Sequence, residues 1–152
     1  MKYLRTIFAV FLAVALFGIS SCKNDEDDEL KTVATFYGSS LMTMNEDGVD
    51  VDCIIQITAT FYNNLEYKIH TEIAAKDTNN IAMQTLKIGT YTGDPTKNST
   101  TVKMKTITEC DIDTKEVNWK DASSTAEESF EISADGKVSI TEDSFSMTIQ
   151  RQ

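Results

Sequence analysis

Apolar and polar residues alternate with a period of two along nearly all of the chain beyond residue 31. Successive side chains of an extended strand point to opposite faces, so this alternation predicts half-buried strands. The clearest run is Val49 to Phe61. Val49, Val51, Cys53, Ile55, Ile57, Ala59 and Phe61 share one face, and Asp50, Asp52, Gln56, Thr58 and Thr60 the other, with Ile54 the exception. Leu65, Tyr67, Ile69, Thr71 and Ile73 alternate in the same way with Glu66, Lys68, His70 and Glu72. Thr101 to Ile112 reads as a strand with Val102, Met104, Thr106, Thr108, Cys110 and Ile112 on one face. Phe130 and Ile132, then Val138 and Ile140, then Phe145, Met147 and Ile149 continue the pattern. Ile81 to Ile88 is apolar enough for a strand but shows no clear face. Thr32 to Tyr37 opens the series; Gly38 is expected to interrupt it, with a bulge before Leu41 to Met44.

Turn chemistry separates these runs. Asp47-Gly48 and Asp135-Gly136 supply the positive φ that tight hairpins need. Asn63-Asn64, Asp77 to Asn80 and Gly89 to Pro95 mark further turns. Val117 to Lys120 is a short strand candidate carrying the only tryptophan, Trp119. Asp121 to Glu128 is the one place where a short helix is expected, because Thr125 and Glu128 have capping-box spacing. The expectation is therefore a single all-β domain over residues 32–152, with about eight to ten antiparallel strands in a sandwich or a small barrel. Alternation alone does not choose between those two.

The first thirty residues follow another rule. Lys2 and Arg5 precede an apolar run, Ile7 to Ile19, and small Ser20 and Ser21 follow it. A helix of that length rises about 20 Å, short of a hydrocarbon core of about 30 Å. Such a run fits the apolar region of a secretory signal, here residues 1–21. The stretch Ile19-Ser20-Ser21-Cys22 resembles a bacterial lipoprotein signal, the lipobox. The resemblance implies cleavage before Cys22, diacylglycerol on its thiol and acylation of the new amino terminus. Several acyl chains, at about 0.8 kcal/mol per methylene, anchor a protein durably. The covalent lipid is the only attached group expected; no cofactor fingerprint occurs.

Residues 22–31 then form a tether. Asp25 to Glu29 is an uninterrupted run of carboxylates, which repel one another and stay extended and solvated. An acidic run directly after the lipid cysteine resembles the surface-export signal of Bacteroidota lipoproteins. Phe36-Tyr37-Gly38, Lys87 to Thr92 and Gly136 to Thr141 resemble small lipoproteins of Bacteroides and its relatives. That resemblance implies a β-sandwich or calycin-like domain, lipid-anchored in the outer membrane and facing the medium.

Charge narrows the partners. Removing residues 1–21 takes away Lys2 and Arg5 alone, leaving 12 basic against 24 acidic residues. Phosphate backbones are repelled by such a chain, which argues against nucleic acid as a partner. With Cys22 lipidated, Cys53 and Cys110 remain in an oxidising compartment, where a disulfide is a candidate. The loop it would close, 57 residues long, corresponds to about 4 kcal/mol of chain entropy. Two separate buried thiols are the alternative.

No catalytic or metal constellation emerges. His70, the only histidine, sits on a polar strand face without a nucleophile motif. Asp50 with Asp52, and Asp111 with Asp113, place carboxylates on one strand face, but neither pair follows a calcium-loop spacing. One histidine and two separated cysteines do not make a zinc set. Trp119, Tyr91, Tyr62 and Tyr37 lie beside turns or on short strands and are candidate ligand-binding rings, since exposed aromatics grip sugars and partner loops. The expected role is a non-enzymatic binding or accessory module for a glycan, or for an envelope or host protein. A calycin-like carrier of a small apolar ligand, and an inhibitor or immunity lipoprotein, are the alternatives.

Overall fold

The computed structural model describes residues 29–46, 48–78, 80–112, 117–121, 127–142 and 145–152. The signal, Cys22, most of the acidic tether and the expected helix around Thr125 lie outside the described residues. Among the described residues, nine strands make one antiparallel sheet: β1 (Thr32–Glu46), β2 (Val49–Tyr62), β3 (Glu66–Ala75), β4 (Ile81–Thr92), β5 (Thr100–Ile112), β6 (Val117–Asp121), β7 (Glu128–Ile132), β8 (Lys137–Glu142) and β9 (Phe145–Arg151).

The strand order is β6-β5-β4-β3-β2-β1-β9-β8, and β7 pairs with β5 beside the stretch that β6 uses. β7 also lies next to β8, so the sheet curls until its two margins meet. This is a nearly closed barrel with a calycin-like meander, rather than two packed sheets. Curling a single sheet in this way hides most of its edge groups. It also leaves one inner face, where the core sits: Ala34, Phe36, Cys53, Ile55, Ile57, Ala59, Phe61, Tyr67, Ile73, Tyr91, Val102, Met104, Phe130, Ile132, Val138, Met147 and Ile149.

The alternation of β2, β3, β7, β8 and β9 carries over as expected: the apolar set of each faces inward. Glycines stand where the turns demand positive φ, at Gly48 (84°) and Gly136 (76°). Three expectations are corrected. Gly89 to Thr92 is no turn but the last part of β4, paired with Lys103 to Thr106 of β5. β1 runs unbroken through Gly38, and its one register shift lies at Thr32/Ala34. Gly38 is there for proximity, since a Cβ would stand 2.5 Å from the Thr148 carbonyl oxygen where β9 crosses β1. On β5 the even-numbered face does not stay together. The register passes from Gly89↔Thr106 to Ile88↔Thr108, so Ile107 is an extra residue, a β-bulge.

The bulge reverses the faces. Val102, Met104 and Thr106 point inward, and Thr106 Oγ1 meets Tyr67 Oη at 2.7 Å. Beyond it, Cys110 pairs with Leu86, which pairs with His70 on the outer face. Leu86 and Cys110 are 4% and 1% exposed yet lie outside the main core cluster.

Candidate functional site: the open end of the barrel

The inward face changes character along the barrel axis. At one end Phe61 meets Phe36, Phe130, Tyr67 and Tyr91, with ring centroids 5.0–6.3 Å apart, mostly edge to face. Hydrogen bonds seal this end. Arg151 Nη1 donates to Asn98 Oδ1 and Nη2 to the Lys97 carbonyl, both at 2.8 Å, while its guanidinium lies 5.3 Å from the Phe36 ring centre. Asn98 Nδ2 donates to the Ala134 carbonyl at 2.9 Å, tying the β4–β5 loop to the β7–β8 turn.

The other end is filled loosely. Met42, Met44, Val51, Ile140 and Phe145 are only partly buried against the core. Met83 and Val49, on the same inward series, are 41% and 63% exposed. Opposite this apolar wall, across the barrel from β1, β4 and β5 turn polar residues inward. Lys87 pairs with Ile69 and Glu109, and Thr85 with Thr71 and Asp111. Lys87 Nζ also lies 3.6 Å from Glu128 Oε1. An eight-strand circumference has room for its own side chains or for one small ligand. This end therefore presents an apolar wall of β1, β2, β8 and β9 facing a polar wall of β4 and β5.

Charge divides along the same axis. Among the described residues within four positions of the open end, the acids Glu46, Asp50, Asp52, Glu72, Asp77, Glu109, Asp111, Asp121 and Glu142 accompany two bases, Lys76, which lies 3.8 Å from Asp52, and Lys120, the register partner of Glu109. At the sealed end Glu29, Glu66, Asp94, Glu131 and Asp135 are matched by Lys31, Lys68, Lys97, Lys103, Lys137 and Arg151. There, hydroxyl, backbone and lysine donors hold two carboxyls below their ordinary range: Thr96 and Lys97 act on Asp94, and Lys137 and Ser133 on Asp135.

The residues singled out from sequence do not converge. Tyr91 is not an exposed ring: it is 4% exposed, stacked edge-on to Phe61, and its hydroxyl donates to the Tyr62 carbonyl at 2.9 Å. Burial raises its hydroxyl pKa, with Asp94 adding to the shift. Tyr62 is half-buried at the sealed end of β2, and Tyr37 is 38% exposed on the outer wall. Trp119 has Cys110 as its register partner, and its side chain lies outside the described residues. Cys53 and Cys110 are both free thiols. β3 and β4 separate their strands, and the β5 bulge puts Cys110 on the outer face while Cys53 faces in, so the sheet itself stands between them.

His70 is half-buried beside Glu72 and Gln84, and Gln84 Nε2 donates to Glu72 Oε2 at 2.8 Å. Burial lowers the His70 pKa, partly opposed by Glu72. Burial raises the Cys110 thiol, and Asp111 adds to the effect. Burial thus disfavours the thiolate form of Cys110. Asp50 and Asp52 stand exposed or nearly so on the outer wall, Asn45 Nδ2 donating to Asp50 Oδ1 at 2.8 Å, and Asp113 lies outside the described residues. No group of three metal-ligating side chains occurs among the described residues.

The open-end residues were visible in the sequence as strand positions but not as a set. Nothing local tells which strand ends gather at one mouth. One signal was available: Met42, Met44 and Met147 sit at inward positions of the two neighbouring strands β1 and β9, and methionine is a flexible filler of adaptable surfaces. Comparison with protein families, curated proteins and solved structures gives no match.

Proposed function

We propose that this chain is a lipid-anchored, non-enzymatic binding protein that holds a small amphipathic ligand in the open end of its barrel. The observation that carries this reading is the gradient along the inner face, from a sealed aromatic end to a loose end with facing apolar and polar walls. Ligand pockets in small barrels sit in the mouth and combine apolar lining with a few polar groups. The anchor is Cys22, in the outer membrane and facing the medium, on the strength of the lipobox and the acidic tether.

Anchor and site fit together geometrically. The described chain begins at the sealed end, where Lys31 N donates to Asn63 Oδ1 at 2.9 Å and Asn63 N to the Lys31 carbonyl at 3.0 Å. In this reading, attachment through the segment before Glu29 leaves the open end free to face away from the membrane. A second reading rests on the outer wall. Leu41, Ile54, Ala74 and Ile81 are successive register partners, an apolar row across four strands of a wet face. Rows of this kind suit a protein partner.

Native mass spectrometry of the protein purified from its own membranes tests the carrier reading. Extra mass of small-molecule size, lost on denaturation, is the expected result. A bare mass, with no uptake of any alkyl amphiphile, sinks it. A protein-sized increment favours the outer-wall reading. Cys22→Ala should release the protein from the membrane fraction; persistent lipid labelling would refute the anchor assignment.

A further inference from the structure

We infer that the free edge of β1, Ser39 to Asn45, is a strand-pairing site that takes β1 of a second copy of this chain, antiparallel and centred on Met42. This rests on neither the carrier reading nor the anchor. The β1–β9 ladder holds Phe36↔Arg151 and Tyr37↔Gln150, with Gln152 N donating to the Thr35 carbonyl at 2.9 Å. At Gly38 the two strands part. A Cβ on Gly38, on the inward face with Phe36, would stand 2.5 Å from the Thr148 carbonyl oxygen and 3.0 Å from Ile149 Cα, so β9 passes beneath β1 rather than beside it. From Ser39 to Asn45, β2 is the one ladder partner among the described residues. Thr35 turns its carbonyl to the β9 side, and backbone groups alternate along a strand. Ser39, Leu41, Thr43 and Asn45 therefore turn their N–H and C=O to the side that β9 has left. Their side chains are exposed, and the Leu41 carbonyl accepts from its neighbour's hydroxyl, Ser40 Oγ, at 3.4 Å.

Folded proteins blunt such edges with lysine, proline, bulges or inward charge. This edge has none of them. No charged residue and no proline stands between Thr32 and Asn45, and the register with β2 is unshifted from Ala34 to Glu46. Self-pairing accounts for the missing charge. The chain carries 24 acidic against 14 basic residues, so two copies repel unless they meet where charge is absent. Geometry favours a second copy over a foreign strand. With a two-fold axis at Met42, Ser39 faces Asn45 and Leu41 faces Thr43 of the other copy, so the free edge groups of both strands are paired at once. Moving the axis to Leu41 leaves Asn45 opposite Tyr37, which β9 already holds. The outer wall gains as well. Leu41, 63% exposed, begins the row that continues through Ile54, Ala74 and Ile81, and pairing sets the two rows diagonally side by side. The tether expected over residues 22–31, up to about 30 Å long when extended, lets both copies of an antiparallel pair reach one membrane.

The test is a cysteine scan of β1 in the protein's own membranes, oxidised mildly and read on non-reducing gels. The unsubstituted protein, whose Cys53 and Cys110 thiols are buried, sets the background, and Ser139→Cys, exposed on β8, reports random collision. In the expected register Met42 stands opposite itself at a non-hydrogen-bonded position, where Cβ atoms are about 4.5–5.5 Å apart. Met42→Cys alone should give a disulfide-linked dimer that reduction removes. Ser40→Cys and Met44→Cys should each stay monomeric alone and cross-link when made in the same cell. Leu41→Lys places like charges on the paired edges and should abolish the Met42→Cys dimer. Ser139→Lys makes the same change in net charge and should leave that dimer intact. An unchanged urea midpoint of the purified variant shows that each has folded. A dimer from Ser139→Cys as strong as that from Met42→Cys overturns the inference, and so does a Met42→Cys dimer that survives Leu41→Lys. Monomer both in Met42→Cys and in the Ser40→Cys/Met44→Cys pair overturns it too. A link from Met42→Cys to another protein, without a dimer, overturns self-pairing and assigns the edge to a foreign strand. None of these readouts involves ligand uptake, so the carrier reading stands or falls separately.

Discussion

The two ends of the barrel are made from the same strands and are held by different means. At the sealed end Phe36, Phe61 and Phe130 form mutual edge-to-face contacts at 5.0–6.1 Å, and Arg151 and Asn98 fasten the loops over them. At the open end thioether and aliphatic chains face carboxylates across the interior, with no ring cluster among the described residues. Aromatic rings bury large areas with fixed geometry, and methionine adapts. The contrast teaches a division of labour: one end supplies stability, and the other is left with surface that a ligand could cover. Proteins draw binding elements from their less stable regions for this reason.

Substitutions that treat the two ends differently sharpen or break this comparison. The largest effect is expected at Phe61, which has no exposed surface and touches four other rings. Phe61→Ala should cost about 3–5 kcal/mol in urea unfolding. A loss below about 1 kcal/mol would mean that the ring cluster does not hold the barrel.

Next comes Gly89, opposite the β5 bulge. A Cβ there would collide with the Lys105 carbonyl oxygen and stand 2.8 Å from a ring carbon of Tyr67. Gly89→Ala is expected to destabilise by about 1–3 kcal/mol, as overpacking does. Unchanged stability would show that the bulge tolerates rearrangement, and would weaken the account of why Glu109 faces in. Arg151→Ala removes two hydrogen bonds and a cation–π contact from the sealed end. With the side chain partly exposed, about 1–2 kcal/mol is expected, read from the same urea transitions.

A smaller effect concerns pH. Burial holds His70 below its ordinary value of 6.5. The unfolded chain then takes up the proton more readily than the folded one. Stability is therefore full above the unfolded value and declines as pH falls from there through the lowered folded value. Urea midpoints taken across this window should slope downward toward acid, and His70→Gln should flatten that part of the slope. A slope that persists in the variant assigns the effect to other groups. Smallest of all, Met44→Ala at the open end should cost about 1 kcal/mol or less in stability while weakening uptake of alkyl amphiphiles. A stability loss rivalling that of Phe61→Ala would abolish the distinction between the ends.

Much of the architecture could be read residue by residue. The inward faces of β2, β3, β7, β8 and β9 follow from alternation, because a strand has a period of two whatever lies around it. The turns at Gly48 and Gly136 follow from backbone sterics, since positive φ suits glycine wherever it occurs. The all-β class follows from the same two rules. The acidity of the domain follows from counting, although its concentration at one end does not.

What needed the tertiary structure depends on residues far apart in sequence. Closure into one barrel depends on β7 meeting β8 beside the first sheet margin, which no local pattern encodes. β1 passes Gly38 without a break because β9, a hundred residues later, runs close against it. The bulge at Ile107 appears only in the pairing of β5 with β4, and it moves Cys110 outward and Glu109 inward. Tyr91 looked like a turn-side ring and is core, because its fate was decided by Phe61 and the Tyr62 carbonyl. Sequence by itself determined the strands, their turns and most of their faces, because backbone sterics and side-chain alternation act within a few residues. The sealed end, the open end and the charge between them were decided only when the sheet closed, because burial is a property of what arrives from elsewhere in the chain.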